Sequence, residues 1–364
     1  MNARTANAPP AGADAPADTP LDAAALQALA SRLRASRGMR HKTDIAAAAA
    51  ELERRPGLAA DDANGLGDDC AALRDPTGDG WLLFAMEGLV EELVEAMPWF
   101  AGYCGVLVNV SDVAAMGGRP LAVADALWAR GAPRAAEILA GMTAAAEALG
   151  VPIAGGHSNY RAARDQLAVA IVGRARRLLT SFDARPGDVL VMAADLRGAW
   201  VEPWPYWNAA TTAPGERLRG DLALLPELAE AGLSRAAKDI SMAGIAGTAL
   251  MFAECSRVGL ALDLDAVPRP PGVALERWLT AFPSYGYLLA VAPADVPAVI
   301  ARFAARDLAA APVGRFTEGS ALVLEAASTG ASAPFWDWRE QPFIRPPAPA
   351  PSAAAPSRRN AAPG

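Results

Sequence analysis

The chain has 364 residues, 52% of them hydrophobic, and a formal net charge of −7. This length predicts two domains with sizeable apolar cores, and the acidic balance argues against a nucleic-acid-binding surface, which needs clustered Lys and Arg. Three widely spaced cysteines match no disulfide or zinc pattern, and no basic leader or apolar run of about 18 residues occurs, so we expect a cytoplasmic protein without a membrane segment.

The first half of the chain predicts a disordered tail and then one domain. Residues 1–20 are rich in Ala and Pro, which is typical of disorder, and the first domain is expected over residues 21–180. Gly38 is predicted to separate two helices. The predicted helices are Leu21–Arg34, Asp44–Arg54, Ala101–Met116 and Ala135–Leu149, and the predicted strands are Trp81–Met86, Val151–Ala154 and Leu167–Val172.

A second domain is expected over residues 181–330, because Asp183, Pro186 and Gly187 interrupt the apolar pattern at its start. A second Pro and Ala-rich tail is predicted over residues 331–364. Helices and strands mix in both halves, which favours two domains of the α/β or α+β class. The predicted strands are Asp188–Ala194, Leu260–Leu264 and Tyr287–Val291, and the predicted helices are Leu222–Ala231, Ile245–Val258 and Val296–Ala305.

Two adjacent carboxylates, Asp68 and Asp69, follow Gly67 and run directly into an apolar segment. Neighbouring carboxylates repel and are costly to hold in a partly buried turn unless a cation neutralises them. A hard divalent ion such as Mg²⁺ is a natural partner, although an ordinary surface turn uses the same residue types. The triplet therefore allows a metal site or a turn.

Further acidic side chains lie on predicted helices and strands. Asn109 and Asp112 are three residues apart and so share one face of an apolar helix. Asp112 therefore needs a distant partner or a metal, unless it caps a helix that begins at Val113. Glu87 closes a predicted strand and has Glu91 four residues later, which suits a cleft or a solvated edge.

The sequence Gly155, Gly156, His157 and Ser158 follows a predicted strand. Paired glycines at such a position let backbone amides approach an anion, and the serine adds a hydroxyl donor. His157 is one of only two histidines, so it is a candidate catalytic residue, although a lone histidine often has a structural role.

Asp239 and Ser241 precede an apolar helix, with Gly244 and other small residues beside them. Ser241 is a suitable N-cap, and a helix N-terminus can receive a phosphate, but a capped helix without a ligand fits equally well. The basic segment 37–42, which ends at Lys42, could close over a polyphosphate or form a solvated helix junction. The aromatic segment 200–207 could stack on a ring-shaped substrate or fill an interface.

The motifs GDDCAAL, EGLVEE, NVSDVAAMGGRP, GGHSN, KDISMAGIAG and VGRFTEG occur in an order that resembles the aminoimidazole ribonucleotide (AIR) synthetase superfamily over residues 38–320. That superfamily includes thiamine-monophosphate kinase, selenophosphate synthetase and a hydrogenase maturation protein. The resemblance implies an N-terminal α/β domain whose sheet forms a dimer barrel and a C-terminal α+β domain. It also implies a homodimer with ATP and Mg²⁺ in a cleft at the interface.

The resemblance assigns roles to the motif residues of this chain. Magnesium ligands would be Asp68, Asp69, Glu87, Asp112 and Asp239. By the same match Asn109, Gly155 and Gly156 would lie near the nucleotide. The residue patterns add Gly67, Ser158, Ser241 and Gly244 to the nucleotide site, with His157 and Lys42 as catalytic candidates. The implied chemistry is ATP-dependent phosphoryl transfer, in which metal charge and positioning supply most of the catalysis.

The motif KDISMAGIAG differs from the corresponding motif of thiamine-monophosphate kinases, because Met242 and Ala243 follow Ser241. The reactive cysteines of the selenium and hydrogenase proteins are missing. We therefore expect an ATP-dependent enzyme that phosphorylates or activates a small molecule. The alternative is a nucleotide-binding accessory protein without turnover.

Overall fold

The computed structural model describes residues 20–53 and 65–345. The helices within these residues are α1 (Ala23–Arg34), α2 (Arg37–Lys42), α3 (Asp44–Glu53), α4 (Glu91–Ala96), α5 (Pro98–Ala115), α6 (Ala132–Leu149), α7 (Gly215–Glu230), α8 (Gly244–Ser256), α9 (Leu275–Leu279) and α10 (Val296–Ala304). Within the same part of the chain, no helix is both long enough and apolar enough to span a membrane.

The strands of the N-terminal half are β1 (Ala71–Arg74), β2 (Trp81–Gly88), β3 (Arg119–Arg130), β4 (Ile153–Asn159) and β5 (Arg161–Ala175). Those of the C-terminal half are β6 (Val189–Ala194), β7 (Ala199–Trp200), β8 (Trp207–Asn208), β9 (Ala236–Asp239), β10 (Gly259–Asp263), β11 (Gly286–Val291), β12 (Ala309–Thr317), β13 (Ala321–Ala326) and β14 (Ala331–Asp337).

The N-terminal domain is a five-stranded sheet of order β1-β2-β5-β3-β4. Strand β5 pairs antiparallel with β2 and β3, and β4 joins β3 in parallel. Helix α5 packs on this sheet and against α6. Every residue of α5 except Trp99 is buried, which explains why its sequence is apolar nearly all round.

The other face of this sheet is uncovered by the described residues. Phe84, Met86, Leu121 and Val172 are 49, 59, 49 and 40% exposed. Phe84 lies directly opposite Val172 across the β2–β5 pair, so two of these side chains form one continuous apolar surface. All residues of the edge strand β4 are exposed as well. Apolar patches of this kind commonly mark interfaces.

The C-terminal domain is a seven-stranded mixed sheet of order β14-β13-β10-β12-β6-β11-β9. Helix α8 contributes to the core on one side, and α7 and α10 contribute to a separate core cluster. Helix α1 also belongs to the first of these cores, through Leu26, Leu29 and Leu33. The predicted first domain, residues 21–180, is therefore wrong at its start, because the apolar face of α1 packs on the C-terminal sheet.

The predicted tail over residues 331–364 is also wrong at its start. Strand β14 pairs antiparallel with β13, and Phe343 and Ile344 are buried beyond it. The Glu254 carboxylate accepts hydrogen bonds from the backbone N–H groups of Phe343 and Ile344, at 2.7 and 2.8 Å. The predicted tails at residues 1–19 and 346–364 lie outside the described residues.

Two local predictions are corrected by the structure. Gly38 does not separate two helices, because it lies inside α2, and the break falls at Ser36, which caps α2 through its hydroxyl. Strand β4 begins at Ile153, so the paired glycines lie within a strand rather than after one. Strand β3, twelve residues long, carries few β-branched side chains and was not predicted.

Candidate functional site

A cavity of about 130 Å³ lies where the two domains meet. Its walls come from the turn before β1, the end of β2, the buried helix α5, the end of β9 and the short helix α2. The polar residues that line it are Lys42, Asp69, Glu87, Asp112, Lys238, Asp239 and Ser241. Elements distant in the sequence therefore deliver charged groups to one place.

Three carboxylates in this cavity form a cluster. Oxygen atoms of Asp69, Asp112 and Asp239 all lie within 4.8 Å of one another. Octahedral Mg²⁺ holds its oxygen ligands at about 2.1 Å and therefore about 3–4 Å apart, so the cluster is close to the required spacing. Asp112 Oδ2 is buried and has no hydrogen-bond partner within the described part of the chain. An unpartnered buried oxygen in a carboxylate cluster fits a hard cation.

Burial and mutual repulsion make these carboxyl groups hard to ionise without a cation. Burial, followed by the charges of Asp239 and Glu87, raises the pKa of Asp112 well above its ordinary value. Burial and the charge of Asp69 raise the pKa of Asp239 to about 7. Burial also raises the pKa of Asp69, against the opposing effect of Lys238. The cluster therefore needs protons or a bound cation at neutral pH.

Lys238 is a site residue that the sequence analysis did not identify. Its ammonium forms an ion pair with Asp69, and the side chain is buried. The backbone N–H of Asp239 also donates to Asp69, at 3.2 Å. The only sequence signal for Lys238 was its position next to Asp239, because its ionic partner lies 169 residues away.

The sequence matches the N-terminal domain of AIR synthase related protein over residues 67–175 and the C-terminal domain over residues 185–326. The chain belongs to this family. The family therefore spans both domains and the cavity between them, and the resemblance seen in the motifs is confirmed.

Two relatives are similar to this chain in sequence. Uncharacterized protein sll0787 of Synechocystis sp. is 48% identical over 308 residues, which cover 84% of this chain and 94% of that protein. Thiamine-monophosphate kinase of Pyrococcus horikoshii is 31% identical over 222 residues, which cover 57% of this chain and 69% of that protein.

Solved structures of the family share the fold. Phosphoribosylformylglycinamidine synthase II of Thermotoga maritima has a TM-score of 0.68 at 18% identity, over 92% of this chain and 57% of that chain. The structure described as "AaThiL complexed with AMPPCP and TMP" has a TM-score of 0.56 at 20% identity, over 74% of this chain and 92% of that chain. The chain thus spans about half the length of the T. maritima synthase, which is also named PurL. The two-domain AIR synthase-like fold is confirmed.

Within this family fold, Asp68 is turned away from the acidic cluster. Thr180 Oγ1 donates to Asp68 Oδ2 at 2.6 Å, and the backbone N–H and hydroxyl of Ser181 donate to Oδ1 at 3.0 and 2.6 Å. Asp68 therefore joins the turn before β1 to the connection between the two domains. The structure does not bring Asp68 together with the other predicted metal ligands. The preceding residue, Gly67, has φ of +106° and lines the cavity.

Two further predictions placed side chains on α5. Asn109 donates to the carbonyl oxygens of Gly105 and Val169, at 2.8 and 3.0 Å, and thereby ties the helix to β5. It is fully buried and does not line the cavity. Asp112 does not cap a helix, because α5 continues through it to Ala115.

Lys42 lines the cavity because α2 packs closely against the loop before α8. A Cβ atom on Gly38 would lie 1.9 Å from the carbonyl oxygen of Met242. Only glycine allows this approach. The exposed Glu87, at the end of β2, also lines the cavity.

Ser241 is not the N-cap of α8, which begins at Gly244 after Ala243. Its backbone N–H donates to Thr248 Oγ1 at 3.1 Å, and its own hydroxyl is buried without a partner in the described chain. Ser241 therefore presents an unused hydroxyl in the cavity wall. Gly244 has φ of +68° and packs against the Leu279 carbonyl group. A side chain at this position would clash with that carbonyl, so close packing explains the glycine.

The glycine and histidine motif lies away from the cavity of its own chain. Gly155, Gly156, His157 and Ser158 are exposed along the edge strand β4 and none of them lines the cavity. Gly156 packs closely on β3, since a Cβ there would lie 2.8 Å from the backbone carbonyl oxygen of Asp125. The predicted catalytic role of His157 therefore has no support within one chain.

The aromatic segment divides into two parts. Trp207 packs edge-on against Trp278, with ring centroids 5.3 Å apart, inside the C-terminal core. Trp204 stacks on Tyr206 at 5.5 Å, and Tyr206 meets Phe282 edge-on at 5.8 Å. Phe282 lines the cavity. The aromatic segment therefore both fills a core and reaches the candidate site.

Proposed function

We propose that the cavity binds a divalent cation and the phosphates of ATP, and that the protein phosphorylates or ATP-activates a small molecule. The cluster of Asp69, Asp112 and Asp239, with its unpartnered buried oxygen, carries this proposal. Two observations on relatives support it. One relative is named thiamine-monophosphate kinase, and PurL of T. maritima is described in complex with ATP.

The three aspartates would hold Mg²⁺, which neutralises phosphate charge when bound. Lys42 would donate to a phosphate oxygen from the wall that α2 forms, and the Ser241 hydroxyl is a further free donor. Glu87, exposed at the end of β2, would complete the acidic ligands. The catalytic contribution of the chain is therefore positioning and charge.

The second part of the proposal is a homodimer through the open face of the N-terminal sheet. Phe84, Met86 and Val172 make this face apolar, and burying it would remove their surface from water. Such packing would bring the exposed strand β4, with its glycines and His157, toward the partner's cavity. The proposal thereby gives the motif a role that it lacks within one chain.

The third part concerns the acceptor. Phe282 in the cavity wall, backed by the stacked pair Trp204 and Tyr206, offers an apolar ring surface beside the carboxylates. We assign contact with a ring-bearing acceptor to this surface. Phe282→Ala should then raise KM for the acceptor more than it lowers kcat, whereas an equal change in both would contradict the assignment.

Calorimetry with a non-hydrolysable ATP analogue, with and without Mg²⁺, tests the central claim. Asp112→Asn and Asp239→Asn should each lose Mg²⁺-dependent binding by at least about tenfold, which is about 1.4 kcal/mol. Asp295→Asn, in the loop before α10 and outside the cavity, is the control and should bind like the parent. Equal binding by all four proteins would exclude the metal site.

A nucleotide-binding accessory protein is the second candidate. It is favoured by one observation: within the described residues, no histidine lines the cavity, and the predicted catalytic His157 lies elsewhere. Release of ADP during incubation with a panel of small molecules separates the two functions. Tight nucleotide binding without ADP release for any acceptor supports the accessory role.

A further inference from the structure

Lys238 is a buried cation inside an acidic cavity. It lies near the end of β9, is 4% exposed and lines the cavity together with the three aspartates. Its ammonium pairs with Asp69 and lies 3.4 Å from Ser181 Oγ. Interior ammonium groups lose their hydration and need ionised partners in return. Lys238 therefore fixes one positive charge at the place where a metal is proposed.

The ammonium changes how much charge a metal must balance. With all lining groups ionised, the negative charges exceed the positive ones by two, which is the charge of one divalent cation. A cavity with these carboxylates and no buried lysine would have one further negative charge to balance. The lining groups in this count are Asp69, Glu87, Asp112 and Asp239, with Lys42 and Lys238.

Hydrogen bonds divide the cluster into an occupied side and an open side. Asp69 Oδ1 pairs with Lys238, and Asp69 Oδ2 accepts from the backbone of Asp239. Both oxygens of Asp69 are thus engaged within the protein. In contrast, Asp112 Oδ2 is buried and has no partner in residues 20–53 and 65–345. The free ligand atom lies on the side of Asp112, and the ammonium covers the side of Asp69.

We propose that the Lys238 ammonium takes the place of a second divalent cation, so that the nucleotide-free cavity binds one metal ion per chain. The inference rests on the metal site of the proposed function and adds its stoichiometry. It also makes Lys238 a positioning residue, because the ion pair holds Asp69 beside the cluster. Lys238→Met removes the charge at similar length and should open a second metal position, whereas Lys238→Arg retains the charge.

Titration of the full-length protein with Mn²⁺, followed by electron paramagnetic resonance of the free ion, counts the bound metals without nucleotide or activity. The parent and Lys238→Arg should bind one Mn²⁺ per chain, and Lys238→Met should bind two. Arg235→Met is the matched control, because Arg235 pairs with Asp188 outside the cavity. It should bind one Mn²⁺ with the affinity of the parent.

The outcomes separate the inference from the proposed function. Two Mn²⁺ ions per chain in the parent or in Lys238→Arg, or one in Lys238→Met, overturn the inference and leave the metal site intact. Absence of Mn²⁺ binding in the parent overturns the metal site itself. Thermal unfolding tests the inference even if Lys238→Met folds poorly. Saturating Mn²⁺ should raise the melting temperature of this variant more than that of the parent. A variant that stays unfolded in Mn²⁺ also overturns the inference.

Discussion

Replacing Asp112 by asparagine removes one charge from the acidic cluster while keeping the shape of the buried side chain. Burial and the neighbouring carboxylates raise the pKa of Asp112 in the folded protein. The folded state therefore binds more protons than the unfolded state, and the free energy of unfolding without metal falls as pH rises above the ordinary carboxyl pKa of about 3.9. We expect Asp112→Asn to be more stable than the parent in EDTA at pH 7.

The spacing in the cluster bounds the size of this gain. Two ionised carboxylates no more than 4.8 Å apart repel by at least about 3.5 kcal/mol at an effective dielectric constant of about 20, and Asp112 has two such neighbours. Protonation limits the penalty, because neutralising a carboxyl of ordinary pKa at pH 7 costs about 4 kcal/mol. The buried amide also leaves polar atoms unsatisfied, which offsets part of the gain. The expected gain is about 1–3 kcal/mol.

Urea unfolding in EDTA and in MgCl₂, at pH 5, 7 and 8, measures this effect. In EDTA the advantage of Asp112→Asn should grow as pH rises, because the parent carboxyl is increasingly forced to ionise. In MgCl₂ the order should reverse, because the parent gains a bound cation and the variant lacks a ligand. A variant that is less stable than the parent in EDTA at pH 7, or an advantage that shrinks as pH rises, would refute the reasoning.

Three other substitutions test separate parts of the structure. Gly38→Ala would place Cβ 1.9 Å from the Met242 carbonyl oxygen, so α2 must move and calorimetry should show at least about tenfold weaker Mg²⁺-nucleotide binding. Asp68→Asn should lower the free energy of urea unfolding by about 1–3 kcal/mol through its hydrogen bonds to the domain connection, yet keep the Mn²⁺ count of the parent. Met86→Glu should convert a dimeric parent to a monomer in light scattering, because it puts a charge on the open sheet face.

Each of these predictions has an outcome that contradicts it. Unchanged nucleotide affinity in Gly38→Ala would remove α2 from the proposed site. Loss of Mn²⁺ binding in folded Asp68→Asn would make this residue a metal ligand after all. A monomeric mass for the parent would exclude the homodimer and leave the exposed apolar face without its proposed partner.

Local sequence patterns predicted several elements close to their observed bounds. The helix predicted over Ala135–Leu149 is α6, Ala132–Leu149, which ends before Gly150 in the left-handed conformation. The strand predicted over Tyr287–Val291 is β11, Gly286–Val291. Periodicity and a terminating glycine are properties of neighbouring residues, so the sequence alone carries them.

The acidic residues could be selected from the sequence because carboxylates in apolar surroundings are costly and therefore conspicuous. The family resemblance grouped Asp69, Asp112 and Asp239 with Asp68 and Glu87 as metal ligands, and the structure brings the first three together. Asp68 was included for the same local reason. Its orientation depends on hydroxyl groups more than 100 residues later, which no local pattern could indicate.

By itself, the sequence determined the family, the mixed character of both domains and which acidic side chains are candidates for binding a cation. Only the tertiary structure decided which carboxylates meet, that Lys238 enters their cluster, that α1 joins the C-terminal core and that β4 lies exposed at an edge. The physical reason is that ion pairs and strand neighbours join residues far apart in the chain. The periodicity of apolar residues indicates which face of a helix or strand is buried, but it does not indicate which other element packs against that face.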